Sequence, residues 1–117
     1  MANDFKRATA SDISSNSGSP TTIYSCATNK TSIIIGALLV NKTANPVLTS
    51  VLLDTTIVGN DDAYLCYNLE IPPNSSVELS MGKIVLTHNN TNGDSIVAHC
   101  SASSAVDIIL SILEDVN

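Results

Sequence analysis

Apolar positions run almost unbroken through residues 32–58, SIIIGALLVNKTANPVLTSVLLDTTIV, where two β-branched and aliphatic runs are parted by the polar NKTANP. That pattern predicts a β-hairpin too hydrophobic to stand alone, which the rest of the chain must cover. In the first run Ile33, Ile34, Ile35, Ala37, Leu38, Leu39 and Val40 leave no polar face, so the strand is expected to be covered on both sides or to lie at a subunit contact. Of these, Ile33, Ile35 and Leu39 are the expected outward-facing members and the candidate contact residues. Gly36 in the middle predicts a bulge or a close backbone approach. Pro46 has no N–H to give to a ladder, which places it at the start of the returning strand.

Elsewhere the pattern has period two. Residues 21–27 (TTIYSCA) predict a first strand, and residues 63–71 (AYLCYNLEI) set Leu65, Tyr67, Leu69 and Ile71 against Tyr64, Cys66 and Asn68. Val77, Leu79 and Met81 alternate with Glu78 and Ser80, and a turn at Met81, Gly82 and Lys83 leads into a strand with Ile84 and Leu86 inward. The loop at 88–94 (HNNTNGD) holds an Asn92-Gly93 pair suited to a type I′ turn. Residues 95–100 form a short strand, and residues 105–113 close the fold with Val106, Ile108, Leu110 and Ile112 on one face. Helical spacing also fits that last segment, but its β-branched content favours a strand. Roughly seven or eight strands joined by Asn, Gly, Pro and Ser turns predict an all-β, antiparallel two-sheet sandwich, jelly-roll-like, over residues 21–117.

Residues 1–20 carry no periodic apolar pattern and end in SNSGSP, which predicts a flexible, extended N-terminal arm. Within it Lys6 and Arg7 are two of only five basic residues, and they follow Phe5, the only phenylalanine. As an anchor, Phe5 would fill a partner's pocket and Lys6 and Arg7 would pair with the partner's carboxylates.

Composition narrows the function more than it names it. Charged residues are 14% of the chain, and Ser, Thr and Asn take over the surface role. The net charge of −6 sets any nucleic acid or anionic membrane against overall repulsion, so neither is an expected partner. No run of 18 apolar residues and no signal-like N-terminus is present, which predicts folding in a cytoplasm. Cys26, Cys66 and Cys100 lie in or beside apolar runs and read as small buried thiols. Sequons at Asn29, Asn41, Asn74 and Asn89 read as turn residues.

Chemistry-bearing constellations are sparse. Nucleophilic catalysis needs a base beside an activated nucleophile, and neither His88 nor His99 lies in such a motif, so no enzyme is expected. His99 and Cys100 are strand neighbours pointing to opposite faces, which sets them against a shared zinc. The turns at 60–62 and 89–94 offer oxygen ligands without the spacing of a dedicated calcium loop, and no metal or other cofactor is expected. With no Trp, and with Tyr24, Tyr64 and Tyr67 all in strands, an aromatic sugar platform is not expected either.

The segments MANDFKRATASDI, TTIYSCATNKTSIIIGALLVNKT, IPPNSSVEL and AVDIILSILEDV, in that order, resemble the small all-β virion proteins of tailed bacteriophages, particularly those infecting marine cyanobacteria. The resemblance implies a non-enzymatic structural protein, assembled in the host cytoplasm and carried on the virion. Its leading form is a capsid decoration or cement protein, self-associating with a trimer as the expected form. Its N-terminal arm would bind the major capsid protein or another virion protein. A neck, tail or fibre-attachment component is the structural alternative, and a host-surface glycan-binding module the alternative of another class.

Overall fold

The computed structural model describes residues 4–79 and 83–114. Among them nine strands form two antiparallel sheets packed as a β-sandwich: β1 (Asp4–Ala10), β2 (Thr21–Ser25), β3 (Lys30–Asn41), β4 (Val47–Thr55), β5 (Ala63–Ile71), β6 (Ser76–Leu79), β7 (Ile84–His88), β8 (Asp94–Cys100) and β9 (Val106–Glu114). The first sheet runs β1-β9-β3-β6, with β7 also paired to β3, and the second runs β2-β8-β4-β5. The pairing is nested. The β4–β5 connection is the tip of one long hairpin whose successive levels are β4·β5, β3 with β6 and β7, β2·β8 and β1·β9. Alternate levels fall in alternate sheets.

The two apolar runs of residues 32–58 are therefore not a hairpin. β3 lies in the first sheet and β4 in the second, and the chain crosses the core between them. The corner is made by Asn41, which is 1% exposed. Its Nδ2 donates to the carbonyls of Asn45 (2.8 Å), Ile71 (3.0 Å) and Pro72 (3.2 Å), while its Oδ1 accepts from the Thr43 amide (2.9 Å) and hydroxyl (2.8 Å). A single side chain thus satisfies the backbone of the NKTANP loop and of the β5–β6 turn, groups that burial would otherwise leave orphaned. All four sequon asparagines do turn work. Asn29 and Asn74 hold positive φ (60° and 53°), and the Asn89 carboxamide accepts from the Thr91 and Asn92 amides. The Asn92-Gly93 pair departs from the expected type I′ turn, because neither residue has positive φ. Asn89 closes that loop through its side chain instead.

β9 fits its sequence pattern residue for residue: Val106, Ile108, Leu110 and Ile112 are buried, and Asp107, Ile109, Ser111 and Leu113 alternate with them. It lies between β1 and β3 and is paired along both edges. β3 keeps phase with it only as far as Ile34. The register shifts between Ile34 and Gly36, a bulge that reverses which side chains face the core. Leu39 is consequently fully buried with Ile34 and Ala37, and Leu38 turns outward in its place. The expectation that Leu39 faces a partner is corrected by that bulge. Shifts in the β4–β5 ladder likewise break the alternation expected of β5, and Tyr67 is 64% exposed. The three thiols are free, Cys26 and Cys100 buried and Cys66 partly so, and burial pushes all three up from their ordinary pKa.

The expected flexible arm is largely part of the sandwich. Residues 4–10 pair with β9 over their whole length, from Asp4 opposite Glu114 to Ala10 opposite Ile108. Ile13 is 1% exposed in the core, and its amide donates to the Val106 carbonyl (3.0 Å). Residues 14–19 are tied by Ser14 and Asn16 hydrogen bonds, with the Asn16 carboxamide accepting from the Gly18 amide at 2.8 Å. β1 has no apolar alternation because it is an edge strand, held by its ladder more than by burial, and its charges discourage further strand addition. Met1–Asn3 of the expected arm and the expected turn at Met81 and Gly82 lie outside the described residues.

Two outcomes follow. Asn41→Ala leaves at least two buried carbonyls without donors and is expected to lower unfolding free energy by about 3 kcal/mol, against about 0.5 kcal/mol or less for Asn45→Ala, whose side chain is exposed. Urea unfolding of the two variants measures the contrast, and equal effects would remove Asn41 from the corner. Deleting residues 1–19 strips β9 of a partner and empties the Ile13 site, so a loss of roughly 3 kcal/mol or more is expected, with Ile13→Ala alone giving most of it. A truncated chain as stable as the full one would restore the flexible-arm reading.

Candidate interaction surface

Residues opposite one another in an antiparallel ladder share a face. Phe5 is opposite Leu113, Leu113 is opposite Ile33, and Ile33 is opposite Val85. One apolar row therefore crosses β1, β9, β3 and β7 on the outer side of the first sheet. Phe5 is 79% exposed and Val85 54%, and Ile35, pushed out by the bulge beside this row, is 41% exposed. Further along the strands Thr9, Ile109, Leu38 and Glu78 make a second row. Between the rows lie Arg7, Ser111 and Gly36. The small side chains there leave a shallow depression of about 230 Å³, lined by Gly36, Ala37, Leu38, Glu78, Ile109 and Ser111.

Of the six residues singled out in the sequence, Phe5, Arg7, Ile33 and Ile35 come together on this face. Lys6 and Leu39 do not. Lys6 stands opposite Ile112 in the ladder, in the inward phase of β1, and pairs with Glu114. That pairing within the chain replaces the expected salt bridge to a partner. Ile109, Leu113 and Val85 complete the surface, and single-strand patterns missed them because register, not spacing along the chain, aligns them.

Behind the face, a polar chain closes the edge of the sandwich. Glu114 accepts from Lys6 and from the Tyr24 hydroxyl of the second sheet, and Tyr24 in turn accepts from the Ser32 hydroxyl at 2.8 Å. The hydrogen bond from Lys6, then that from Tyr24, holds the Glu114 carboxyl below its usual range. Burial, together with the neighbouring carboxylate, pushes the Tyr24 phenol well above its usual range. At the other end of the strands Lys42 pairs with Asp12 and Asp107. Although burial opposes it, the bonds from Lys42 and the Asp12 amide hold Asp107 below its usual range. The two clamps pin β1 and its following turn to β9.

His88 lies over Gly93, where an added Cβ would come within 2.0 Å of its ring, and its Nδ1 contacts the Asn89 carbonyl. His99 alternates with buried Ala98 and Cys100 and so lies on the outer side of the second sheet. A polar cleft of about 230 Å³ is lined by Ser25, Cys26, Asp54, Thr56, His88, Thr91, Gly93 and Ser95. Burial, and then Asp62, pushes Asp54 up there. On the second sheet's edge Tyr64 and Tyr67 pack edge-to-face, ring centres 4.8 Å apart, and both are well exposed. That exposed pair differs from the sequence expectation, which drew tyrosines in strands as poor platforms.

No protein-family model matches the chain, and no curated protein matches it. Among solved structures it is similar to a chain in the structure of infectious bursal disease virus, Gx strain, at 12% identity and a TM-score of 0.47. The match covers 99% of this chain, which spans 38% of that one. A likeness at that level carries no functional weight.

The Glu114 clamp has a pH signature. A carboxyl whose folded pKa is depressed adds stability that is present above its unfolded pKa and lost as pH falls through the folded value. Glu114→Gln is therefore expected to cost about 2 kcal/mol at pH 7, by a difference that shrinks as pH falls below the ordinary carboxylate range, as read from denaturant unfolding over a descending pH series. A cost independent of pH would mean that the carboxylate is not what holds β1.

Proposed function

We propose that this chain is a non-enzymatic structural protein of a virus particle, in its most concrete form a capsid decoration or cement protein of a tailed bacteriophage. The observation that carries the reading is the apolar row Phe5, Leu113, Ile33 and Val85, a surface of the kind that marks association with another protein. The sequence resemblance to phage virion proteins supplies the setting, and the charge-poor, Ser/Thr/Asn-rich surface suits it, because surface ion pairs are screened at high salt. Association between copies on the particle then works by burial of this row rather than by a free arm. Phe5 and Arg7 take part as members of β1, and repetition over many copies substitutes avidity for single-site strength.

A second reading rests on the exposed Tyr64 and Tyr67 pair, whose rings could stack on a sugar as part of a host-surface glycan-binding module. Loss of glycan-array binding in Tyr64→Ala and Tyr67→Ala would favour it.

Quantitative mass spectrometry of purified particles from infected source cells tests the leading reading. Hundreds of copies per particle are expected for a decoration protein, and about a dozen would point to the neck or tail. Absence of the chain from particles would overturn the virion role.

A further inference from the structure

The occupant of the outer face can be argued from its charges. Arg7 and Glu78 both point out of this face and both are exposed, and neither has an ion-pair partner among the described residues. They stand on the two outermost strands, Arg7 on β1 and Glu78 on β6, with β9 and β3 between them. Three strand spacings of roughly 4.8 Å keep them about 14 Å apart within one copy, too far to pair across the sheet.

We infer that the outer face of the first sheet binds a second copy of this chain about a twofold axis parallel to the strands. Such an axis lays β1 of each copy over β6 and β7 of the other. It brings the Arg7 guanidinium of one copy to the depression lined by Gly36, Leu38 and Glu78 of the other, and the reverse contact follows by symmetry. Arg7 is displaced from the Glu78 row by two residues along the strand, about 7 Å, which an arginine side chain spans. The same operation sets Phe5 over the partner copy's Val85, and Leu113 over the partner copy's Ile33. Apolar row thus meets apolar row, and each dimer holds two Arg7–Glu78 pairs at its rim. Of the other charges on this face, Asp107 is taken by Lys42, while Lys83, exposed just ahead of Ile84 and in phase with Val85, adds a positive charge near the partner copy's Arg7 that Glu78 has to offset.

The area fixes the strength. Four strands and four side-chain rows cover on the order of 500 Å² per copy, so the total lies at the low end of specific interfaces and the dimer is concentration-dependent. This inference puts a twofold dimer in place of the expected trimer, goes beyond the virion reading and does not depend on it.

Sedimentation velocity of the full chain across a concentration series in low salt tests it. The wild type is expected to move from monomer to dimer. Arg7→Glu and Glu78→Arg, each juxtaposing like charges, should weaken the dimer tenfold or more, and the double variant should restore it to within about threefold. Val85→Lys should abolish it. Each of these side chains points into water in the monomer, and unchanged thermal unfolding of the variants confirms that they fold. A wild type that stays monomeric, a trimer, or a dimer indifferent to the charge swaps would overturn the inference. Failure of the virion reading shows separately, as absence from particles with this equilibrium intact.

Discussion

A sheet has two faces, and a two-layer sandwich can hide only one face of each sheet. The whole molecule is arranged around that limit, because β3 is apolar on both sides. Its inner side, Ser32, Ile34, Ala37, Leu39 and Asn41, packs against the second sheet or turns the corner toward it. Its outer side, Ile33, Ile35, Leu38 and Val40, has no third layer above it among the described residues. Hydrogen bonding on both edges, to β9 on one side and to β6 and β7 on the other, fixes the strand so that neither face can rotate away. The apolar middle of that surface follows from this one strand being over-supplied with aliphatic side chains.

What the amino-acid order made legible was whatever depends on neighbours two residues apart. The alternation of β9 appears intact in the structure, and the glycine of β3 does mark a bulge. Relations set by register were not legible. A bulge of one residue exchanged the roles of Leu38 and Leu39, which have the same side chain and so left no trace in composition. A hairpin and a crossing between sheets present the same pattern of two apolar runs around a polar loop. Only the burial of Asn41, whose amide reaches the carbonyls of Ile71 and Pro72 thirty residues on, distinguishes them. β1 was read as an arm because an edge strand bound by its ladder needs no apolar period.

The candidate surface shows the same division. Phe5, Arg7, Ile33 and Ile35 could be singled out as residues unusual for their places, yet the row they belong to is visible only once β1 is laid against β9 and β9 against β3. Lys6 illustrates the converse. Next to two candidates in sequence, it points to the other side of the strand, where Glu114, itself hydrogen-bonded by Tyr24, holds it as part of the clamp that makes β1 a member of the sheet. Phe5 and Arg7 are thus presented on a fixed strand, which lowers the conformational entropy that binding through a disordered arm would have to overcome.

The central claim is that the outer face of the first sheet is covered when the protein is at work. Hydroxyl-radical footprinting of the unmodified chain over a range of concentrations tests it most directly. Protection is predicted to rise together at Phe5, Ile33, Val85 and Leu113 while Val58 and Tyr67, exposed but off this face, stay equally reactive. Labelling of the four residues that does not change with concentration, or that changes no more than at Val58 and Tyr67, would contradict it.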